Sequence, residues 1–327
     1  MFSLEAATGI AIRENDLILA SLEKGFRDVT LKGAVMIRNF RELPPAQLID
    51  QLKQEIRSKG MNTENIVFGM ERDQVVIRTI ELPIDVEENL KQVVEFQAEK
   101  FEPLEDELSL CDFVVVRRDE EQQTIQLQIF MAPAAALDEP MALLDELGLH
   151  PASVRVMSHS LAPLLQLHPD GYPKNEPALM IETAPRWVAF NLALGPGRAF
   201  SEKAALTEGY GLNEVLKELE AFVAQVELAD ERLSKIYLTG EEAARLLPEF
   251  KDRFEGCERL FESARLKGPV MTASQLEPMA DVLGLAISGW SRKGAFNLLP
   301  PERRLVRQRP SLAPTLVLGL VLVLMGG

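Results

Sequence analysis

Cysteine, histidine and aromatic residues are scarce in this chain of 327 residues, which has two Cys, three His, two Trp, three Tyr and 6% aromatics in all. Cys111 and Cys257 allow at most one disulfide and sit in no CxxC or metal-ligand spacing, so a disulfide scaffold and a cysteine metal site are excluded and a reducing compartment is expected. His150, His159 and His168 complete no metal set and stand in no Cys or Ser nucleophile context. The opening residues carry Glu5 and lack the basic start and apolar run of a signal peptide, so the body is expected to stay in the cytoplasm. Positive charge is also short, with 35 Lys and Arg against 50 Asp and Glu, net −15. Six of those basic residues and one acid lie within 291–309, leaving residues 1–290 with 29 basic and 49 acidic groups. Such a body repels phosphate backbones, and nucleic acid is excluded as a partner. At 46% hydrophobic and 26% charged, the chain is globular and long enough for about two domains.

Apolar runs at 8–12 and 17–22 flank a polar turn, and 29–37 alternates as a third strand. Pro44 and Pro45 open a helix with Leu48, Ile49, Leu52 and Ile56 on one face, ending near Gly60. Strands are predicted at 66–70 and 74–82, a helix over 86–101, strands at 110–117 and 124–132, and a helix marked by Met141, Leu144 and Leu147. After the loop 168–177 the grammar repeats: strands at 178–181, 187–194 and 199–203, a helix carrying Leu212 to Val226, and a buried strand at 234–239. This is a duplicated α/β arrangement. The last sixteen residues, 312–327, carry no charge, and as a helix they reach about 24 Å. They read as a short or cut-off transmembrane segment with the arginines of RRLVRQR on its cytoplasmic side.

Four stretches in order carry a family resemblance: VVIRTIELP (75–83) with EFQAEKFEPLEDE (95–107); ELGLHP and the strand after it (146–156); AFSEKAALTEGYGLNEVLKELE (199–220); and ADVLGLAISGW (280–290) with AFNLLPPERR (295–304). Together they resemble the PilM family of type IV pilus assembly proteins and the cytoplasmic domains of type II secretion GspL proteins. The resemblance implies an actin-like (ribonuclease H-like) two-lobed α/β body. The expected domains are a first lobe at 1–168 with an inserted small subdomain, a second lobe at 169–295, a PilN-like segment and basic linker at 296–311, and the membrane segment at 312–327.

Actin-like proteins hold phosphates on two Gly-containing hairpins, usually with an Asp that organises Mg²⁺, because backbone N–H groups reach phosphate where no side chain obstructs. Both hairpins depart from that pattern here. The first, residues 9–14, has Ala11 where the pattern wants Asp and Arg13 where it wants Gly. The second, residues 181–186, has no Gly, and Glu182 is its best acidic match. Gly209, Gly211 and Gly240 complete a degenerate nucleotide pocket, with at most weak ATP and Mg²⁺ binding expected. The carboxylates at 105–107 and 119–121 read as solvated turn charges, and Trp187 and Phe190 as packing residues. In the pilus family a segment like Phe296-Asn297-Leu298-Leu299-Pro300 opens the membrane partner PilN and docks on the actin-like body, which marks these five as partner-binding.

The resulting expectation is a non-catalytic scaffold in the inner-membrane assembly platform of a type IV pilus or type II secretion system. Its partners would be PilN- and PilO-like membrane proteins and the motor ATPase, with no resident cofactor or metal. A nucleotide-binding ATPase of the same superfamily is the competing reading, should Glu182 organise Mg²⁺. A filament-forming cell-division relative is the third and would need intact phosphate hairpins.

Overall fold

The computed structural model describes residues 5–26, 28–98, 109–169, 171, 177–195, 198–226, 235–269, 271–290 and 295–304. The first half opens with the meander β1 (Glu5–Arg13), β2 (Asp16–Lys24) and β3 (Val29–Ile37), antiparallel throughout. Helix α1 (Pro45–Lys59) follows, with Pro45 in its first turn and Gly60 closing it at φ 60. β4 (Ile66–Met70) then pairs parallel to β1. An insertion forms its own three-stranded sheet from β5 (Val76–Pro83), β6 (Ser109–Asp119) and β7 (Thr124–Pro133), with β7 central and helix α2 (Leu90–Ala98) packed on it. Helix α3 (Asp138–Glu146) leads to β8 (Pro151–Val156), the parallel neighbour of β4 and the edge of the first sheet.

The second half repeats this plan. β9 (Ala178–Ala184), β10 (Trp187–Gly195) and β11 (Arg198–Ala205) form an antiparallel meander, helix α4 (Leu212–Val226) follows, and β12 (Lys235–Gly240) pairs parallel to β9. Helix α5 (Ala243–Arg253) and the short β13 (Cys257–Arg259) complete the five-stranded second sheet, ordered β11-β10-β9-β12-β13. The duplication read from the sequence is present strand for strand.

Two features cross the expected lobe boundary at residue 168. β14 (Leu266–Lys267) pairs with β3 and makes the first sheet six-stranded. After the one-turn α6 (Ala273–Leu276), helix α7 (Ala280–Ser288) lies on β1, β2 and β4, so the chain returns to the first lobe after building the second. The apolar residues Leu161 to Leu165 predict a helix, and the structure places there a 3₁₀ segment over 158–167, inside which Pro163 has no N–H to donate. This segment and α7 fill the space between the sheets, where Leu161, Leu164, Leu283 and Leu285 join Ala11 and Ile18 of the first half and Met180 and Tyr237 of the second in one core. The helix expected over 86–101 begins as a 3₁₀ turn (Ile84–Asn89), and its end at 99–101 lies outside the described residues. So do the acidic residues 105–107, the linker from 305 and the apolar segment 312–327. Among the described residues no helix is long and apolar enough to cross a membrane.

Candidate functional site

The two hairpins that would hold phosphates meet at the cleft between the sheets. β1 ends on Arg13, whose side chain enters the cleft instead of leaving a bare backbone. Its Nη2 lies 2.7 Å from Asp281 Oδ2 in the first turn of α7 and 3.7 Å from Glu182 Oε1 on β9, and its Nη1 donates to the Pro278 carbonyl at 3.1 Å. Burial works against the Arg13 charge, but Asp281 and then Glu182 outweigh it and hold the guanidinium protonated. Glu182 is buried beside Asp281, and both effects push its carboxyl well above the usual range, with burial the larger.

A second tier of charges closes the mouth. Glu71, just after β4, pairs with Lys203 of β11 at 2.5 Å, and Arg72 pairs with Glu202 at 2.8 Å while donating Nε–H to the Ser201 carbonyl at 3.1 Å. Trp187 is more than a packing residue, since the Arg13 guanidinium carbon stands 5.5 Å and the Lys203 ammonium 4.6 Å from its ring centre. Phe190, by contrast, is wholly buried in the outer core of the second sheet, as expected of a packing residue.

The expected nucleotide residues lie on strand ends and turns around β9. Thr239 and Gly240 of β12 pair with Glu182 and Thr183 of β9. Gly240 has φ 93, and a Cβ there would lie 2.2 Å from the Thr183 carbonyl oxygen, so it serves the close approach of two strands. Gly209 has φ 81 and Gly211 donates its N–H to Glu214 at 3.1 Å, which makes them a turn into α4. Between them the Tyr210 hydroxyl donates to the Ala184 carbonyl at 2.9 Å. The space left among Arg13, Glu71, Glu182, Lys203 and Asp281 is about 10 Å³. That is no more than one water needs, against the several hundred Å³ of an ordinary ligand pocket. The side chains present therefore do not fit a Mg-nucleotide. Sequence reading flagged Arg13 and Glu182 but missed Glu71, Arg72, Glu202, Lys203 and Asp281, although the last three lie in stretches that carry the family resemblance.

Phe296 to Pro300 occupies a second site, the seam between edge strand β8 and the inserted sheet. Phe296 stacks on Phe130 of β7 with ring centres 3.6 Å apart, and Phe296, Leu298 and Leu299 are buried. Asn297 fixes the register: its Oδ1 accepts the Val154 N–H at 2.9 Å and the Leu299 N–H at 3.0 Å, and its own N–H donates to Asp112 of β6 at 2.7 Å. Leu298 N–H donates to the Val154 carbonyl at 3.1 Å, so the segment caps an otherwise open sheet edge. Pro300 begins a 3₁₀ turn from which Arg303 reaches Asp145 at 2.9 Å and Arg304 Nε donates back to the Leu299 carbonyl at 2.9 Å. Under this segment His159 packs edge-on against Phe130 and Phe296, and burial drops its pKa to about 3.

The remaining singled-out groups sit in turns or in the packed interior. Asp119 Oδ1 accepts the N–H groups of Glu121 and Gln122 in the β6–β7 turn. Both cysteines are free, and burial pushes each thiol up to about 11. Among the described residues no His, Cys, Asp and Glu cluster could hold a metal.

No family model matches the sequence, and none of the curated proteins does. Solved structures do match. A chain of the PilM-PilN type IV pilus biogenesis complex aligns with a TM-score of 0.66 and 18% identity over 87% of this chain and 98% of that one. The cytoplasmic domain of EpsL, an inner membrane component of the type II secretion system of Vibrio cholerae, aligns at 0.48 with 12% identity over 91% and 99%. A Bacteroides thetaiotaomicron protein with an actin-like ATPase fold aligns at 0.42 with 10% identity over 86% and 96%. The duplicated sheets agree with the sequence resemblance, and the chain shares the fold of a chain of the PilM-PilN type IV pilus biogenesis complex.

Proposed function

We propose that this chain is a non-catalytic scaffold on the cytoplasmic face of an inner membrane, serving the assembly platform of a type IV pilus or type II secretion system. The observation that carries the reading is the seating of Phe296 to Pro300 on the body. In the pilus family such a segment belongs to a separate membrane partner, and here the chain supplies it to itself. Each fully buried Phe or Leu contributes about 1.5–3 kcal/mol, and Asn297 adds register through its hydrogen bonds. The basic residues after Arg304 and the apolar segment 312–327 then tether the acidic body to the bilayer. The non-catalytic part is supported by the cleft, where the Arg13 side chain lies against Asp281 and Glu182. PilN- and PilO-like membrane proteins and the motor ATPase are the partners this reading implies.

The test uses the full chain and a labelled peptide of residues 295–304. A tethered segment has an effective concentration of about millimolar, so it shuts out a free copy of itself. Leu299→Asp expels the chain's own segment and leaves the groove intact. The expected result is micromolar peptide binding by the Leu299→Asp chain and about tenfold or weaker binding by the wild type. Equal binding by both chains, or none by either, contradicts the reading.

A further inference from the structure

The cleft that Arg13 fills is also where the two lobes are joined, and the joining groups are charged. Arg13 comes from the end of β1 and Glu71 and Arg72 from the end of β4, all in the first sheet. Glu182 comes from β9, and Glu202 and Lys203 from β11, all in the second. Asp281 comes from the helix packed between them. Two ion pairs therefore span the lobes directly, Arg72 with Glu202 and Glu71 with Lys203, and the Arg13 guanidinium reaches across to within 3.7 Å of Glu182. The Arg72 guanidinium adds its bond to the Ser201 carbonyl, and Ser158 meets Ser201 hydroxyl to hydroxyl at 3.2 Å. Trp187, at the start of β10, lies against a cation from each lobe.

We infer that these side chains are a built-in latch, in which the Arg13 guanidinium and the Lys203 ammonium hold the second lobe's strands on the first with no ligand between them. In a ligand-gated two-lobed protein, closure is driven by what binds better to the closed form. Here the closing charges are part of the chain. The charge count supports this. Four carboxylates face three cations, and burial pushes the Glu182 carboxyl up, so a proton on Glu182 leaves the set neutral. The consequence for a scaffold is that the angle between its lobes, and with it the outer surface offered to partners, is set by sequence.

The latch deepens the non-catalytic reading and rests on it, yet the two fail by different measurements. Hydrogen exchange is followed in the full chain without nucleotide, over residues 5–24 of the first hairpin and 178–195 of the second. Truncating one member of a buried pair strands the others, so Arg13→Ala is expected to raise exchange by about tenfold or more in both hairpins. A rise confined to the first hairpin, or no rise, overturns the latch. Should Arg13→Ala fail to fold, Lys203→Gln at the cleft mouth gives the same decision: raised exchange in residues 66–75 and 198–205 supports the latch, and unchanged exchange overturns it. Millimolar Mg-ATP added to the wild type tests the other reading. Unchanged exchange in the same peptides supports the non-catalytic scaffold, and new protection overturns that scaffold without touching the result from the variants.

Discussion

Asp281 and Glu182 both face Arg13, but the geometry gives them opposite weights. Asp281 sits at 2.7 Å, whereas Glu182 stands at 3.7 Å with an Oε1 that makes no hydrogen bond among the described residues. Replacing Asp281 by Asn leaves a buried guanidinium without its close counter-charge, and a loss of about 3–5 kcal/mol is expected. Replacing Glu182 by Gln removes the surplus carboxylate. Because the folded state raises the Glu182 pKa, it binds a proton that the unfolded chain releases near the ordinary value of 4.5. The stability this confers is full below that value and is lost as pH climbs through the folded pKa. Glu182→Gln is therefore expected to be at least as stable as wild type at pH 8, and to lack this part of the decline between pH 5 and pH 8. Denaturant unfolding at the two pH values reads both variants, and equal losses from Asp281→Asn and Glu182→Gln contradict the assignment. Sequence reading reached Arg13 and Glu182 because a hairpin pattern exposes a residue that breaks it. It could not reach their partners, since Arg13 contacts the carbonyl of Pro278, 265 residues away, and nothing local marks Asp281 as buried.

At the scale of elements, legibility followed how much of each signal is local. α1 shows in the sequence because Pro45 opens it and Gly60 ends it, and the two meanders show because apolar runs alternate with turn residues. The 3₁₀ conformation at 158–167 does not show, because its apolar spacing also suits an α-helix and tertiary packing around Pro163 decides the matter. The return of β14 and α7 to the first lobe is equally hidden, since a two-residue strand has no periodicity. α7 lies so close to β1 that a Cβ on Gly9 would sit 2.0 Å from the Val282 carbonyl oxygen. Gly9→Ala must push the helix off the sheet, and a loss of about 1–3 kcal/mol in urea unfolding is expected. A neutral Gly9→Ala would show that α7 is not held against β1 as described.

At the scale of the whole molecule, a duplicated α/β body has its inter-sheet space filled by 158–167 and α7, its cleft closed by charge, and the β8 edge of its first sheet capped by residues 296–300. On the proposed reading, the acidic residues before 290 and the basic stretch after it divide the chain into a body that bilayer headgroups repel and a collar they attract. On the function proposed above, such a body acts through the surfaces it presents and does no chemistry in the cleft. The measurement that tests this most directly is calorimetric titration of the full chain with Mg-ATP, paired with an assay of phosphate release. The account predicts no saturable binding heat and no turnover, and steady phosphate release that Glu182→Ala abolishes would contradict it.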